Sequence, residues 1–389
     1  MSPPGRIPLF RAVVPDAARE RLLRTIDTGW IGYGPECRRL EEAFMHGRAG
    51  WALATSSCTS SLYLVGRLLA GRSPRRRGQV IVPAVSFVAT AMAFAEAGLE
   101  PLVSPVRDDD LTLDAAAAER RITPDTLAIC VVHLYGQRAA DIAALRALAD
   151  RRGLALVEDC AHRIDLLDPA PPLGDYACYS FNAVKELPGG EGGLLWGRDP
   201  ADEPGARAAS NLGLAIDTMQ RAATLRHGDY AFEATTGLKL RLSDVAAALV
   251  NGAMPSLGAD RAQRRALIET YQRLLAPAAP DVVPLVRRDD DSFLMAVVRV
   301  PPERRDAIRA SMAAAGVATS VHYPSLARHP RFGVAIPGGG CGDSDDAVLT
   351  LPTWLGMTTD VQRRVVDALV RALHAPDGSR GVDLAAPAA

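Results

Sequence analysis

The chain is expected to fold as an α/β protein, with a mostly parallel sheet between helices in a large domain and a smaller α/β domain after it. Three observations predict this. From about residue 50, short apolar runs rich in β-branched residues alternate with helical runs, and strands apolar on both faces suit a sheet covered on each side. Near residue 256 the pattern changes, because a long charged helix opens a second set of strands and helices. The 389 residues also exceed what one small core holds. The boundaries read as 1–255 for an N-terminal segment with the large domain, 256–375 for the small domain, and 376–389 for a tail expected to be disordered.

The elements follow from local signals. Residues 1–15 are a proline-punctuated lead-in, and 16–28 have helical spacing through Ala18, Leu22, Leu23 and Ile26. Gly29 to Pro35 form a glycine-punctuated loop that carries Trp30 and Tyr33. Ser56 to Ser61 precede a helical run from Leu62 to Leu69; Gln79 to Pro83 read as a strand, and Ala89 to Gly98 as an alanine-rich helix. Leu127 to His133 is a strand, Asp141 to Arg152 a helix stopped by Gly153, and Leu154 to Glu158 the next strand. Ala177 to Phe181 and Gly193 to Gly197 follow without long helices between them, so that part of the sheet is expected to be mixed. Residues 206–255 read as mainly helical around an irregular centre at Gly237. Beyond them come a helix from Asp260 to Leu275, a strand from Phe293 to Val300, and helices near 303–315 and 359–374.

Composition narrows the function. The net charge of −1 gives no electrostatic footprint for nucleic acid or an acidic membrane; the Arg75-Arg76-Arg77 run reads as a solvated loop. No apolar run reaches membrane-spanning length, and the first residues lack a signal-peptide pattern. Six scattered cysteines form no C-x-x-C pair, which reads as a reducing, cytoplasmic protein. His133, His162, His227, His322 and His329 show no paired metal-ligand spacing, and no G-x-S-x-G or G-x-G-x-x-G motif points to a hydrolase or a dinucleotide enzyme.

The strongest chemical signal is Tyr179-Ser180-Phe181-Asn182-Ala183-Val184-Lys185, with Gly189 to Gly193 close behind. An apolar strand there gives way to a glycine-rich loop. Lys185 can form a Schiff base with an aldehyde, and Ser180 can hold a phosphate, two demands of pyridoxal phosphate (PLP). Lys185 and Lys239 are the only lysines in an arginine-rich chain. The third demand, a carboxylate for the pyridine nitrogen, has a candidate in Asp159 at the end of a strand, where an acidic strand cap is the plain alternative; Glu158 alternates to the other face. His162, three residues on, can reach Asp159 or the ring oxygen, or pack within its loop. Ser57, Cys58 and Thr59 precede a helix, whose N-terminal amides suit a phosphate, and the same residues suit an ordinary N-cap. Phe87 follows a strand and can stack on the ring or pack in the core.

Together these stretches resemble the DegT/StrS-like family of PLP-dependent sugar or aminocyclitol aminotransferases, of fold type I. The likeness runs from about residue 7 to 372 through Gly29–Pro35, Ser56–Thr59, Val82–Thr90, Val132–Gly136, Glu158–His162, Ser180–Lys185, Gly190–Gly193, Arg241–Asp244 and Val321–Pro324. The resemblance implies that Lys185 bonds PLP and shuttles the proton, Asp159 pairs with the pyridine nitrogen and Phe87 stacks on the ring. Ser180, Ser57 and the Cys58–Thr59 amides hold the phosphate, and His162 sits near the ring oxygen. It also implies a homodimer with shared sites, in which Gly237 to Arg241 come from the partner. Trp30, Tyr33, Arg241 and His322 are the substrate candidates. An amino donor, glutamate or glutamine, converts PLP to pyridoxamine phosphate, and a keto-sugar or keto-cyclitol receives the amine, in antibiotic or surface-sugar biosynthesis. The alternatives are a lyase or dehydratase on the same scaffold and a non-catalytic PLP-binding regulator; the family's dehydratases replace the lysine with histidine. The chain departs from the family at Cys58, usually glycine, at Lys239, often asparagine, at Leu187-Pro188-Gly189, and in a shortened loop over 163–175.

Overall fold

A computed structural model describes residues 5–72, 78–167, 171–224, 230–233, 236–285, 287–332 and 345–375. The Arg75–Arg77 run, His227, Cys341 and the 376–389 tail lie outside the described residues. The first part of the chain runs α1 (Asp16–Asp27), α2 (Pro35–Met45), β1 (Trp51–Thr55), α3 (Cys58–Arg72), β2 (Gln79–Pro83), α4 (Ala89–Glu96), β3 (Glu100–Ser104) and α5 (Ala115–Arg121). It continues through β4 (Thr126–Val132), α6 (Ile142–Arg152), β5 (Ala155–Cys160), β6 (Tyr176–Ser180), β7 (Gly193–Gly197), α7 (Glu203–Ala209), α8 (Thr218–Thr224) and α9 (Asp244–Ala253). The remainder is α10 (Leu257–Ala278), β8 (Val283–Pro284), β9 (Ala296–Arg299), α11 (Arg305–Ala314), β10 (Val348–Leu351) and α12 (Thr359–His374).

Strands β1 to β7 form one sheet in the order β1-β7-β6-β5-β4-β2-β3. Neighbours from β6 through β5, β4 and β2 to β3 are parallel, whereas β7 is antiparallel to both β1 and β6. The sheet is therefore mixed where the sequence loses its helices. Both faces are covered. On one, Leu62, Leu64 and Val65 of α3 and Phe94 of α4 pack with Val80, Val82, Cys130, Val157 and Leu195. On the other, Leu145 and Leu148 of α6 cover Ile81, Ile129 and Leu156. Leu40 and Phe44 of α2 and Val250 of α9 cover Ala54, Tyr179 and Leu194 on that same face. Each such large side chain contributes roughly 1.5–3 kcal/mol by leaving water. Helix α6 stops as its sequence predicts: Gly153 is left-handed at φ 64°, and its N–H meets the carbonyls of Ala149 and Asp150.

The smaller sheet is antiparallel in the order β10-β9-β8 and packs with α10, α11 and α12 around Leu267, Ile268, Tyr271, Val298, Leu349, Val365 and Leu369. Ile7 joins this core and bonds Gly316, so the N-terminal lead-in crosses onto the small lobe. The segment expected to be mainly helical around Gly237 is less so. An extended stretch there lies beside β1, through the Ser56 N–H to Leu240 carbonyl bond of 2.7 Å and a bridge between Thr55 and Arg241.

Candidate active site

Strands β2, β4, β5 and β6 end at one edge of the sheet, and β1 points the same way because both it and β6 oppose β7. At that edge opens a cavity of about 440 Å³, walled by residues that follow β1, β2, β5 and β6 and by Met295, His322 and Tyr323. Open α/β sheets place ligands at this position. Alternation along β5 decides which carboxylate enters. Asp159 turns to the α3–α4 side, where Oδ2 accepts the Thr90 hydroxyl at 2.8 Å and Oδ1 accepts the Ala161 N–H at 3.0 Å. Glu158 turns away and meets His133 Nε2 at 2.7 Å. His133 Nδ1 accepts the Ala139 N–H, so that histidine is fully engaged within the core. Burial pushes the Asp159 carboxyl pKa up, against its hydrogen bonds and the nearby Lys185 charge.

Lys185 sits in the loop after β6. The loop is pinned by the Ala183 N–H to Gly190 carbonyl bond at 2.9 Å and by the Gly189 N–H to Phe181 carbonyl bond at 2.8 Å. Its amine lines the same cavity as Asp159, and burial lowers its pKa to about 8. A lysine so poised is a usable nucleophile and base near neutral pH.

Ser57, Cys58, Thr59 and Ser180 lie together on the β6 side of Asp159. Ser57 caps α3, its Oγ accepting the Ser60 N–H at 3.0 Å. The amides of Cys58 and Thr59 fall in the first turn, ahead of any intrahelical acceptor. Gly193 brings that turn close: a Cβ there would stand 2.4 Å from the Ser57 carbonyl carbon and 2.5 Å from the Cys58 nitrogen. Cys58 is absent from the left-handed residues, so its backbone accepts the side chain; its buried Sγ lies 3.7 Å from Asp159 Oδ1.

His162 lies on the β4 side. It does not bond Asp159. Its Nδ1 accepts the Tyr135 N–H at 3.1 Å and its Nε2 lies 3.1 Å from the Tyr323 hydroxyl, while burial pushes its pKa well down and keeps it neutral. His322 Nδ1 lies 2.8 Å from Thr350 Oγ1, and burial lowers that ring to about 4. Phe87 is 55% exposed, with its ring centroid 5.5 Å from that of Tyr323, so a face is open to a planar ligand.

Four expected residues lie elsewhere in this chain. Trp30 donates its indole N–H to the Tyr33 carbonyl at 3.0 Å, and the Tyr33 hydroxyl donates to Glu41 at 2.7 Å. Arg241 stands over the Tyr33 ring at 5.3 Å and lines a second cavity of about 320 Å³ with it. Lys239 is exposed on the stretch beside β1. Conversely, Thr90, Asn182, Glu191, Met295 and Tyr323 line the main cavity without having been singled out. Thr90, Asn182, Glu191 and Tyr323 belong to stretches that carry the family resemblance, whereas Met295 carries no signal a single sequence would show.

The model of the DegT/DnrJ/EryC1/StrS aminotransferase family matches residues 15–370. The chain belongs to this family. Solved structures share its architecture, among them the sugar aminotransferase CalS13 from Micromonospora echinospora, 26% identical with a TM-score of 0.80 over 94% of this chain and 99% of that one. The aminotransferase TlmJ from Streptoalloteichus hindustanus is 26% identical, with a TM-score of 0.84 over 95% of this chain and 99% of that one. DesV from S. venezuelae is 29% identical, with a TM-score of 0.80 over 96% and 100%. DesI, solved in the presence of its TDP-sugar product, is 26% identical, with a TM-score of 0.79 over 95% and 94%. The protein is thus an aminotransferase of the DegT/DnrJ/EryC1/StrS family, a PLP-dependent fold type I enzyme of the sugar aminotransferase kind.

Proposed function

We propose that this aminotransferase moves an amino group from glutamate or glutamine to a keto group of a nucleotide-linked sugar or cyclitol, in antibiotic or surface-sugar biosynthesis. The observation that carries the chemistry is that Lys185 and Asp159 line one cavity. The residues fit PLP. A buried carboxylate whose pKa is raised by burial gains most from a protonated pyridine nitrogen beside it. The Cys58 and Thr59 amides and the Ser180 hydroxyl form a cradle that suits the phosphate. Bound there, PLP supplies an aldehyde that takes the donor nitrogen and a ring that accepts electrons.

The chain's own groups do the rest. Lys185 Nζ, displaced by the donor, takes the proton from the donor's α-carbon and later delivers one to the acceptor's carbon. An amine near pKa 8 holds and releases protons readily at neutral pH. Asp159 stays ionised against the pyridine nitrogen, its oxygens fixed by Thr90 and Ala161. Phe87 covers one ring face and excludes water from it. Asn182, Glu191 and His322 line the cavity and offer hydrogen-bonding groups to a hydroxylated acceptor, as DesI's TDP-sugar product would present.

The active form in this reading is a homodimer in the cytoplasm. Lys239 lines no part of its own cavity and stands on a surface with exposed Leu212, Tyr230, Phe232 and Leu238. A second copy packed there would bring Lys239 to its neighbour's phosphate and Arg241 with it. The test is the half-reaction. Holoenzyme given glutamate or glutamine should lose its long-wavelength absorbance and release the keto acid, then aminate a nucleotide-linked ketosugar or a keto-cyclitol, detected by mass. Failure with both donors overturns the reading, and failure with every acceptor of either class overturns its second half.

A further inference from the structure

We infer that Tyr323, not His162, is the hydrogen-bond donor that meets the ring oxygen of the cofactor, and that His162 is the positioning residue that aims it. This rests on the reading of the cavity as a PLP site. The sheet order settles which wall the ring oxygen faces. In PLP the ring oxygen and the phosphate arm flank the aldehyde-bearing carbon on opposite sides. The phosphate cradle of Ser57, Cys58, Thr59 and Ser180 belongs to β1 and β6, on one side of Asp159. A ring held by Asp159 at one end and Lys185 at the other therefore turns its oxygen toward the β4 side, where His162 and Tyr323 stand.

Proton bookkeeping then separates the two. The Tyr135 N–H points at His162 Nδ1, so that nitrogen is the acceptor and the neutral ring carries its single proton on Nε2. That N–H is spent on the Tyr323 hydroxyl oxygen, 3.1 Å away. Tyr323 thus receives a hydrogen bond and keeps its own hydrogen to give. Tyr323 lies on the cavity wall beside His162, and burial with the Asp159 charge pushes its pKa up, so it stays a phenol. The arrangement is held from behind by one residue in an uncommon backbone state. Tyr135 has a left-handed φ of 61°, which aims its amide at His162, and its own hydroxyl donates to the His322 carbonyl next to Tyr323. Such a conformation is uncommon for a non-glycine residue and persists where surrounding contacts demand it.

The test uses holoenzyme and the pH titration of the bound cofactor's visible band. An O–H donor at the ring oxygen draws charge from it and loosens its hold on the neighbouring proton, so losing that donor raises the midpoint. Tyr323→Phe should raise it by about one pH unit, a tenfold change in the proton equilibrium. His162→Ala, which frees Tyr323 without removing its hydroxyl, should raise it less. The reverse order, or no change in Tyr323→Phe, overturns the inference. If Tyr323→Phe fails to fold by circular dichroism, His162→Ala alone decides: a small shift supports the inference and a full unit overturns it. Borohydride reduction and peptide mapping of the wild type keep the cases apart. Absence of a pyridoxyl group on Lys185 overturns the underlying reading as well, whereas its presence with the wrong order of shifts overturns the inference alone.

Discussion

The sulfur of Cys58 lies 3.7 Å from Asp159 Oδ1, so its side chain touches the carboxylate of the site. A thiol is a weak donor, and the Thr90 and Ala161 bonds to Asp159 remain without it. Cys58→Ala should therefore keep PLP bound and lower kcat by less than about tenfold. Thr90→Val removes a hydrogen bond to a charged group, worth about 1.5–3 kcal/mol, and should lower kcat/KM by roughly 10- to 150-fold. Steady-state kinetics of the two variants check the ranking; a larger loss in Cys58→Ala would reverse it.

Lys185→Ala should still bind PLP, through the phosphate cradle and Asp159, but without a covalent link. Its turnover should fall to background. Retained transamination in this variant would remove the role given to the amine.

The attachment of PLP to apoenzyme should depend on pH. Burial lowers the Lys185 amine to about 8, and only the neutral amine attacks an aldehyde. The rate should therefore climb as pH rises through about 8 and level off above it. Stopped-flow absorbance measures this; a midpoint near that of a free lysine would mean that the amine is not desolvated.

Asp159→Asn should lose most activity while folding normally. Because burial raises the folded-state pKa of this acid, its ionised form works against the apo fold once pH exceeds the unfolded value. The apo variant should melt no lower than wild type at pH 7. Wild-type kinetics, or a markedly lower Tm, would contradict the assignment.

Sharing of sites predicts complementation. Lys185→Ala and Lys239→Glu chains should each be impaired alone. In a mixed dimer one site carries both changes and the other carries neither, so activity should return on mixing under conditions that exchange subunits. Mixed dimers seen by native mass spectrometry without recovered activity would argue against an exchanged Lys239.

Much of this was legible in the sequence because strand ends and chemistry coincide. Asp159 and Ser180 close apolar strands, and alternation alone separated Asp159 from Glu158. The helix at 359–374 was readable to the residue, and Gly153 marked the end of its own helix. Strand β1, Trp-Ala-Leu-Ala-Thr, was not readable: two alanines have weak strand preference, and its pairing with β7 spans more than a hundred residues. Helix α2 was hidden by the proline that opens it and the charges along it. Tyr323 was passed over beside His322 because its importance comes from a tautomer fixed by the Tyr135 amide, and no local pattern encodes which ring nitrogen carries a proton.

Tyr135 touches both lobes at once, its amide reaching His162 in the large one and its phenol the His322 carbonyl in the small one. That wall of the chamber behaves as a latch, since the lobes cannot part there without breaking the phenol's bond. Asn182 and Glu191 line the same cavity and bond each other within the large lobe, so changes that widen the enzyme's choice of acceptor belong there, away from the seam.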